Sequence, residues 1–253
     1  MVSGTSVWYP TAPAAVNPQA TLFCFPHGGG DISSFRDWQK GLGNRIALVP
    51  AALPGRERRI REPLVPSIAT LADSLRQPTL QRATGTFALF GHSMGALVAF
   101  ELAHRLTESG HPPALLVVSG APGPQTPTPM AGPRADEMSD AEFLDSVMAL
   151  GGAPSVLLEV PELRDLVLPV LRADYLACEN YEAEERPPLD VPILVLCGDD
   201  DPYAGPSDVK GWQQTTTRET EIRCFDGGHF FVYERQAEVF VAIQAALDGA
   251  LGA

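Results

Sequence analysis

No apolar run in this chain approaches the roughly 20 residues that cross a membrane's hydrocarbon core. Its first ten residues, MVSGTSVWYP, lack both the basic and the apolar stretch of a secretory signal. Positive charge is scarce: 18 Lys and Arg stand against 31 Asp and Glu, for a net charge of −13. Nucleic acid and anionic membranes are poor partners for such a chain, because their phosphates would be repelled. The four cysteines, Cys24, Cys178, Cys197 and Cys224, form no C-x-x-C pair, and no Cys/His cluster has metal-ligand spacing. Cys24 and Cys197 fall in apolar, strand-like runs, so reduced and mostly buried thiols are expected. These absences together lead us to expect a cytoplasmic protein with no metal and no cofactor, and we take it to be a monomer.

A 45% hydrophobic, 19% charged composition over 253 residues supports a sizeable core, and global disorder is excluded. Short apolar runs recur along the chain: TLFCF (21–25), IALVPAAL (46–53), FALF (87–90), ALLVVSG (114–120), PILVLCG (192–198) and EIRCF (221–225). Each ends in glycine, proline or acidic residues. Continuous apolar strands of this kind indicate a mostly parallel sheet buried on both faces, the α/β pattern, in a single domain over 1–253. Helical stretches fall between the strands. One covers 67–82 with Ser67 as its cap, one follows Ser93, and one covers about 235–250.

The alternation breaks between Gly120 and Pro192. A proline-rich linker, PGPQTPTPMAGP, leads to Ser139-Asp140-Ala141-Glu142, a capping box before Phe143, Leu144, Val147 and Met148. A second helix follows Pro161, with Leu163, Leu166, Val167, Val170 and Leu171 at helical spacing. We read about 122–187 as a helical lid insertion, because function concentrates on long insertions; an ordinary packing element is the alternative.

Gly91-His92-Ser93-Met94-Gly95 sits between a strand and a helix and fits the G-x-S-x-G nucleophile elbow. A serine at its free pKa is a poor nucleophile and needs a base. Of the five histidines, His92 adjoins the serine, His104 and His111 lie on or beyond the next helix, and His27 follows an early strand. His229, in FDGGHFF after the last strand, fits the order serine, acid, histidine. The acid should follow the preceding strand, where LCGDDDPY offers Asp201, with Asp199 as the alternative. FPHGGGD supplies a glycine loop after the first strand, from which the Gly28 N–H would join the Met94 N–H as oxyanion donors. That loop lacks the lysine and Ser/Thr of a phosphate-binding P-loop.

FCFPHGGG, LPGRERR, FGHSMGALVAFELA, LRADYLACENY, PLDVPILVLCGDDDP and GGHFF occur in one order along nearly the whole chain. Together they resemble the stand-alone type II thioesterases of polyketide and nonribosomal peptide synthases, within the α/β-hydrolase superfamily. The resemblance implies an α/β-hydrolase fold and a triad of Ser93, Asp201 and His229. It also implies an oxyanion hole at Gly28 and Met94. Gly28 stands where that family commonly has alanine; only the N–H is used, so the donor is kept. The implied activity is hydrolysis of acyl groups from the phosphopantetheine arm of acyl or peptidyl carrier proteins, as an editing step.

A carrier domain is expected to be acidic, so docking requires local positive charge. Arg56, Arg58, Arg59 and Arg61 cluster after LPG and are candidates for the phosphate or carrier carboxylates; a solvated loop balanced by Glu57 and Glu62 is the alternative. Phe143, Leu144 and Met148 of the lid are candidates for the acyl chain, or else for packing. The residues alone also fit a serine esterase or an acyltransferase acting on small soluble esters or thioesters.

Overall fold

A computed structural model describes residues 6–11, 14–125, 133–152 and 160–252. Six strands form one sheet: β1 (Ala20–Phe25), β2 (Ile46–Pro50), β3 (Phe87–His92), β4 (Leu115–Ser119), β5 (Ile193–Gly198) and β6 (Thr220–Phe225). Their order is β2-β1-β3-β4-β5-β6, and every neighbouring pair is parallel. Each apolar run read from the sequence is a strand. The run at 46–53 is shorter than expected and ends at Pro50.

The alternation along each strand divides the core in two. On β1, Phe23 and Phe25 pack toward α2 (Ile68–Arg82) and α3 (Met94–Glu108), while Leu22 and Cys24 pack toward α1 (Trp38–Leu42) and the C-terminal helix. On β3 the same division separates Phe87 and Leu89 from Ala88 and Phe90. Both faces are therefore covered, as a wholly parallel sheet requires. Ser67 caps α2 by accepting from the Thr70 N–H.

Between β4 and β5 lie α4 (Asp140–Ala149) and α5 (Pro161–Glu179). Ser139 and Glu142 form the reciprocal capping box at the start of α4, and Pro161 opens α5. Residues 126–132 of the proline-rich linker and 153–159 between the helices lie outside the described residues. α4 and α5 bury Phe143, Leu144 and Val147 against Leu168 and Leu171. Leu163 and Leu166, expected on the buried face of α5, are exposed instead. They belong to its first turns, and the apolar cluster takes Val167, Leu168 and Leu171 from this helix instead. After β6 come a short α6 (Phe231–Glu234) and a long α7 (Gln236–Gly252).

The reading of four free thiols needs correction. Cys197 and Cys224 occupy paired register positions on β5 and β6, with Cα atoms 4.7 Å apart, and form a disulfide. Sequence separation concealed a pairing that the parallel register creates. Cys24 and Cys178 are free.

The strand order reverses at β1: one connection runs outward to β2, the other way to β3. The loops leaving β1 and β3 therefore meet at a topological switch point above the C-terminal sheet edge, where α/β folds bind ligands. At this point a Cβ on Gly91 would overlap the Gly95 carbonyl, and one on Gly95 would overlap the Phe25 carbonyl of β1. Backbone cannot yield as a side-chain tip can. Gly95→Ala should therefore lower the unfolding free energy by about 1–3 kcal/mol, or more if the helix must shift bodily. Guanidinium unfolding checks this; an unchanged midpoint would show that the contact has slack.

Candidate active site

Ser93 stands between the end of β3 and the first turn of α3 with φ 55° and ψ −120°. A non-glycine residue in this region carries strain of about 1–3 kcal/mol, sustained only where neighbours over-determine it. Here the Ser93 N–H donates to the Ser119 carbonyl of β4 at 2.7 Å, and its carbonyl accepts from Ala96 N–H at 2.9 Å.

His229 reaches back from the loop after β6. Its Nε2 lies 3.0 Å from Ser93 Oγ and its Nδ1 lies 2.8 Å from Asp201 Oδ2. The Asp201 Oδ1 accepts from the Tyr203 N–H at 2.9 Å. Burial pushes the Asp201 carboxyl up, but the hydrogen bond and charge of His229 and the amides of Tyr203 and Ala204 outweigh it. The carboxyl is held below its usual range. An ionised Asp201 accepts from Nδ1–H, which leaves Nε2 free to accept the Ser93 hydroxyl. Asp199 and Asp200 are exposed on the same turn. The loop geometry depends on close backbone approach: a Cβ on Gly198 would stand 2.5 Å from the Gly227 and Gly228 carbonyl oxygens.

His92, adjacent to the serine, turns into the protein. Its Nδ1 lies 3.0 Å from Ser119 Oγ, and its ring centroid is 5.1 Å from that of His229. Burial, then the nearby His229 and His27, lower its pKa well below the ordinary value. His27 binds Tyr233 Oη through Nδ1 at 3.0 Å, and its pKa is lowered to about 4, by burial first and then by His229. Both rings are neutral at neutral pH, so neither opposes a positive charge developing on His229.

Gly28, Ser93, Met94 and His229 share the wall of a cavity of about 320 Å³. Met94 is the first residue of α3, where the N–H has no intrahelical acceptor and the helix end favours negative charge. The rest of the wall is largely apolar: Met138, Phe143 of α4, Tyr175 of α5, and Phe230. A second cavity of about 390 Å³ meets the first at Ser93, Met94, Cys178 and Tyr203, and extends along Ala121–Gln125.

The Thioesterase domain family model matches residues 20–247. Thioesterase PikA5 of Streptomyces venezuelae is 34% identical, over 93% of this chain and 83% of its own. Among solved structures, RedJ, a thioesterase of the prodiginine pathway in Streptomyces coelicolor, is 36% identical with a TM-score of 0.84, covering 97% of this chain and 94% of its own. BorB, a type II thioesterase from the borrelidin cluster, is 33% identical with a TM-score of 0.86, covering 96% and 98%. This chain belongs to the thioesterase family.

Some residues chosen from the sequence lie elsewhere in this thioesterase than expected. Arg56 is no surface contact: it is 9% exposed and forks onto Asp174, with Nη1 to Oδ2 at 2.7 Å and Nη2 to Oδ1 at 2.9 Å. Arg59 is also buried; it pairs with Glu62 at 2.6 Å, donates to the Ala52 carbonyl and lies over the Trp8 ring. Arg56 is taken up by a distant partner that spacing does not reveal, and Arg59 by the neighbouring Glu62 together with Trp8. Arg58 and Arg61 are exposed. Phe143 lines the cavity, whereas Leu144 and Met148 pack within the α4–α5 cluster.

Sequence reasoning missed Tyr203, whose ring meets His229 edge-on at 5.7 Å, and Asp174. Asp174 left a signal: a carboxylate on the buried face of α5, between Leu171 and Ala177, requires a partner.

Three histidines with lowered pKa values, His27, His92 and His104, should make the fold of this thioesterase acid-sensitive. His27 and His104 are lowered to about 4, and His92 is lowered well below its ordinary value, in each case chiefly by burial. Each takes up a proton more readily when unfolded, so their contribution is complete above about pH 6.5. It is lost as pH falls toward 4. At constant salt and protein concentration, the melting temperature should decline steadily across that interval. A flat profile would contradict the lowered pKa values of these rings.

Proposed function

We propose that this thioesterase hydrolyses acyl groups from the phosphopantetheine arm of acyl or peptidyl carrier proteins, as an editing partner of a polyketide or nonribosomal peptide synthase. Ser93, His229 and Asp201 are its triad, and α4 and α5, within about 122–187, form its lid. The observation that carries the reading is Ser93 Oγ, 3.0 Å from His229 Nε2, at the meeting of the two cavities. The description of BorB as a type II thioesterase supports the substrate class.

In the first half-reaction His229 Nε2 takes the Ser93 proton as Oγ attacks the thioester carbonyl. The oxyanion rests between the Gly28 and Met94 N–H groups, and Asp201 stabilises the imidazolium. The carbon–sulfur bond then breaks, the thiol leaves with the proton from His229, and the acyl group stays on Ser93. In the second half-reaction water gives its proton to His229 and attacks the ester; Ser93 Oγ recovers that proton as the free acid departs. A thiol with a pKa of about 8.5 leaves far more easily than an amine.

Ser93→Ala should lower kcat by up to ~10⁶, with Asp201→Asn losing less. Near-full turnover by Ser93→Ala in a single-turnover assay would end the hydrolase reading. Mass spectrometry of a panel of acyl-carrier proteins after incubation should show loss of the acyl mass and gain of the free thiol. Matched thioesters should turn over much faster than amides; equal rates would be incompatible with this leaving-group argument. Arg58→Glu with Arg61→Glu should raise KM for carrier-bound acyl groups and leave KM for a small thioester unchanged, whereas Arg59→Glu should lower the melting temperature. Equal KM effects on both substrates would remove Arg58 and Arg61 from docking.

A further inference from the structure

Asp174 lies in the middle of α5, 2% exposed, and its carboxylate does more than pair with Arg56. Its Oδ2 also accepts from the Gly29 N–H at 2.7 Å. Arg56 Nη1, in turn, donates to the Gly30 carbonyl at 2.9 Å, and the Gly30 N–H closes a turn onto the His27 carbonyl at 2.9 Å. The backbone groups around the Gly28 amide are thereby fixed: the carbonyl before it, the amide after it, and the carbonyl and amide of Gly30. The loop also lies directly against α5. A Cβ on Gly28 would be 3.5 Å from Asp174 Cβ and from the Tyr175 ring, and one on Gly29 (φ 78°) would overlap the Leu171 side chain.

A buried carboxylate and guanidinium are costly to desolvate, and an apolar pair would join helix to loop as firmly. What the ion pair adds is direction, because a bidentate fork fixes both carboxylate oxygens in one plane. One of those oxygens is aimed at the amide next to the oxyanion donor. We propose that Asp174, oriented by Arg56, is a positioning residue that holds the Gly28 amide in its oxyanion-binding orientation. It does so from the same helix whose next residue, Tyr175, lines the cavity. The helix over the cavity and the donor in the loop are thus set by one carboxylate. This inference rests on the reading of Gly28 as an oxyanion donor.

The test compares Asp174→Asn, Arg56→Lys and Gly28→Pro with the parent on a small acyl thioester. A matched trifluoromethyl ketone, which adds to Ser93 as a hemiketal oxyanion, supplies the second readout. Asp174→Asn and Arg56→Lys should each lower kcat by roughly ten- to a hundredfold, less than the loss of a whole donor. KM should stay within about threefold, and the ketone Ki should rise by the factor that kcat/KM falls. A merely structural clamp would lower the melting temperature and leave the ketone Ki of the folded protein unchanged. That result, or a kcat within twofold of the parent for both variants, overturns the proposal. Arg56→Lys keeps the charge but not the fork, so it decides the matter if Asp174→Asn does not fold. Gly28→Pro deletes the N–H itself. If it leaves kcat and ketone Ki untouched, the donor reading fails and this inference with it. If it lowers kcat and raises the ketone Ki while the other two variants do neither, only the inference falls.

Discussion

Where α3 leaves β3, the backbone of Gly95 touches β1 at Phe25, and Gly91 touches the Gly95 carbonyl. Neither position has room for a Cβ, and the distance between helix and sheet follows from that. Ser93 is caught between the two contacts, and the Ser119 carbonyl on β4 fixes its amide. Its backbone strain is thus stored by three parallel strands rather than by the turn itself. The first amide of α3 is left pointing to where β1 also ends, because the sheet reverses its order there. A glycine loop from β1 and a serine from β3 are brought together by topology before any side-chain chemistry is considered.

The histidine cluster shows how burial assigns different roles to like residues. His27, His92 and His229 lie within van der Waals reach of one another's neighbours, with ring centroids 5.1 Å and 6.0 Å apart along the series. Only His229 has a carboxylate, and Asp201 is held ionised by that contact and by two amides. His92 has the Ser119 hydroxyl and His27 has the Tyr233 hydroxyl, which orient a neutral ring without rewarding its charge. The residue nearest Ser93 in sequence is thus excluded as a base by where its ring points. Adjacency to the serine is a poor guide to its hydrogen-bond partner, whereas the order serine, acid, histidine leads to His229.

Much of the architecture was legible because it rests on local signals. Apolar runs ended by glycine or acid gave six strands, and Ser139 with Glu142 gave a helix start, since each depends on residues within a few positions. The elbow was legible for the same reason: the contacts that demand Gly91 and Gly95 are made where strand, turn and helix are contiguous. What failed depended on distant partners. Four arginines within six residues looked like one basic surface, yet Arg56 meets Asp174, 118 positions away, and Arg59 lies over Trp8. Cys197 and Cys224 meet through strand register, which no run of residues announces. Leu163 and Leu166 have the spacing of a buried face, yet both are exposed.

α4 and α5 are attached by different physics. α5 is held by directional charge pairs. Asp174 binds Arg56 and the β1 loop, and just past its end Tyr181 and Arg186 converge on the buried Glu101 of α3, at 2.8 and 2.6 Å. Burial raises the Glu101 carboxyl, and the hydrogen bonds from Arg186, Arg105 and Tyr181 bring it below its ordinary value. Removing one partner of such a pair strands a buried charge at a cost of about 3–5 kcal/mol. α4, by contrast, meets α5 through Phe143, Leu144 and Val147, with Arg172 reaching an exposed Asp140 at 2.7 Å. Apolar contacts of this kind accept volume-conserving exchange for less than about 1.5 kcal/mol. The wall formed by α5 is therefore tied to the geometry around Ser93, while the wall formed by α4 rests mainly on apolar packing against α5. Phe143, which lines the cavity from α4, meets Tyr175 of α5 edge-on with ring centroids 5.2 Å apart, so there the two walls join through an apolar contact rather than a charge pair.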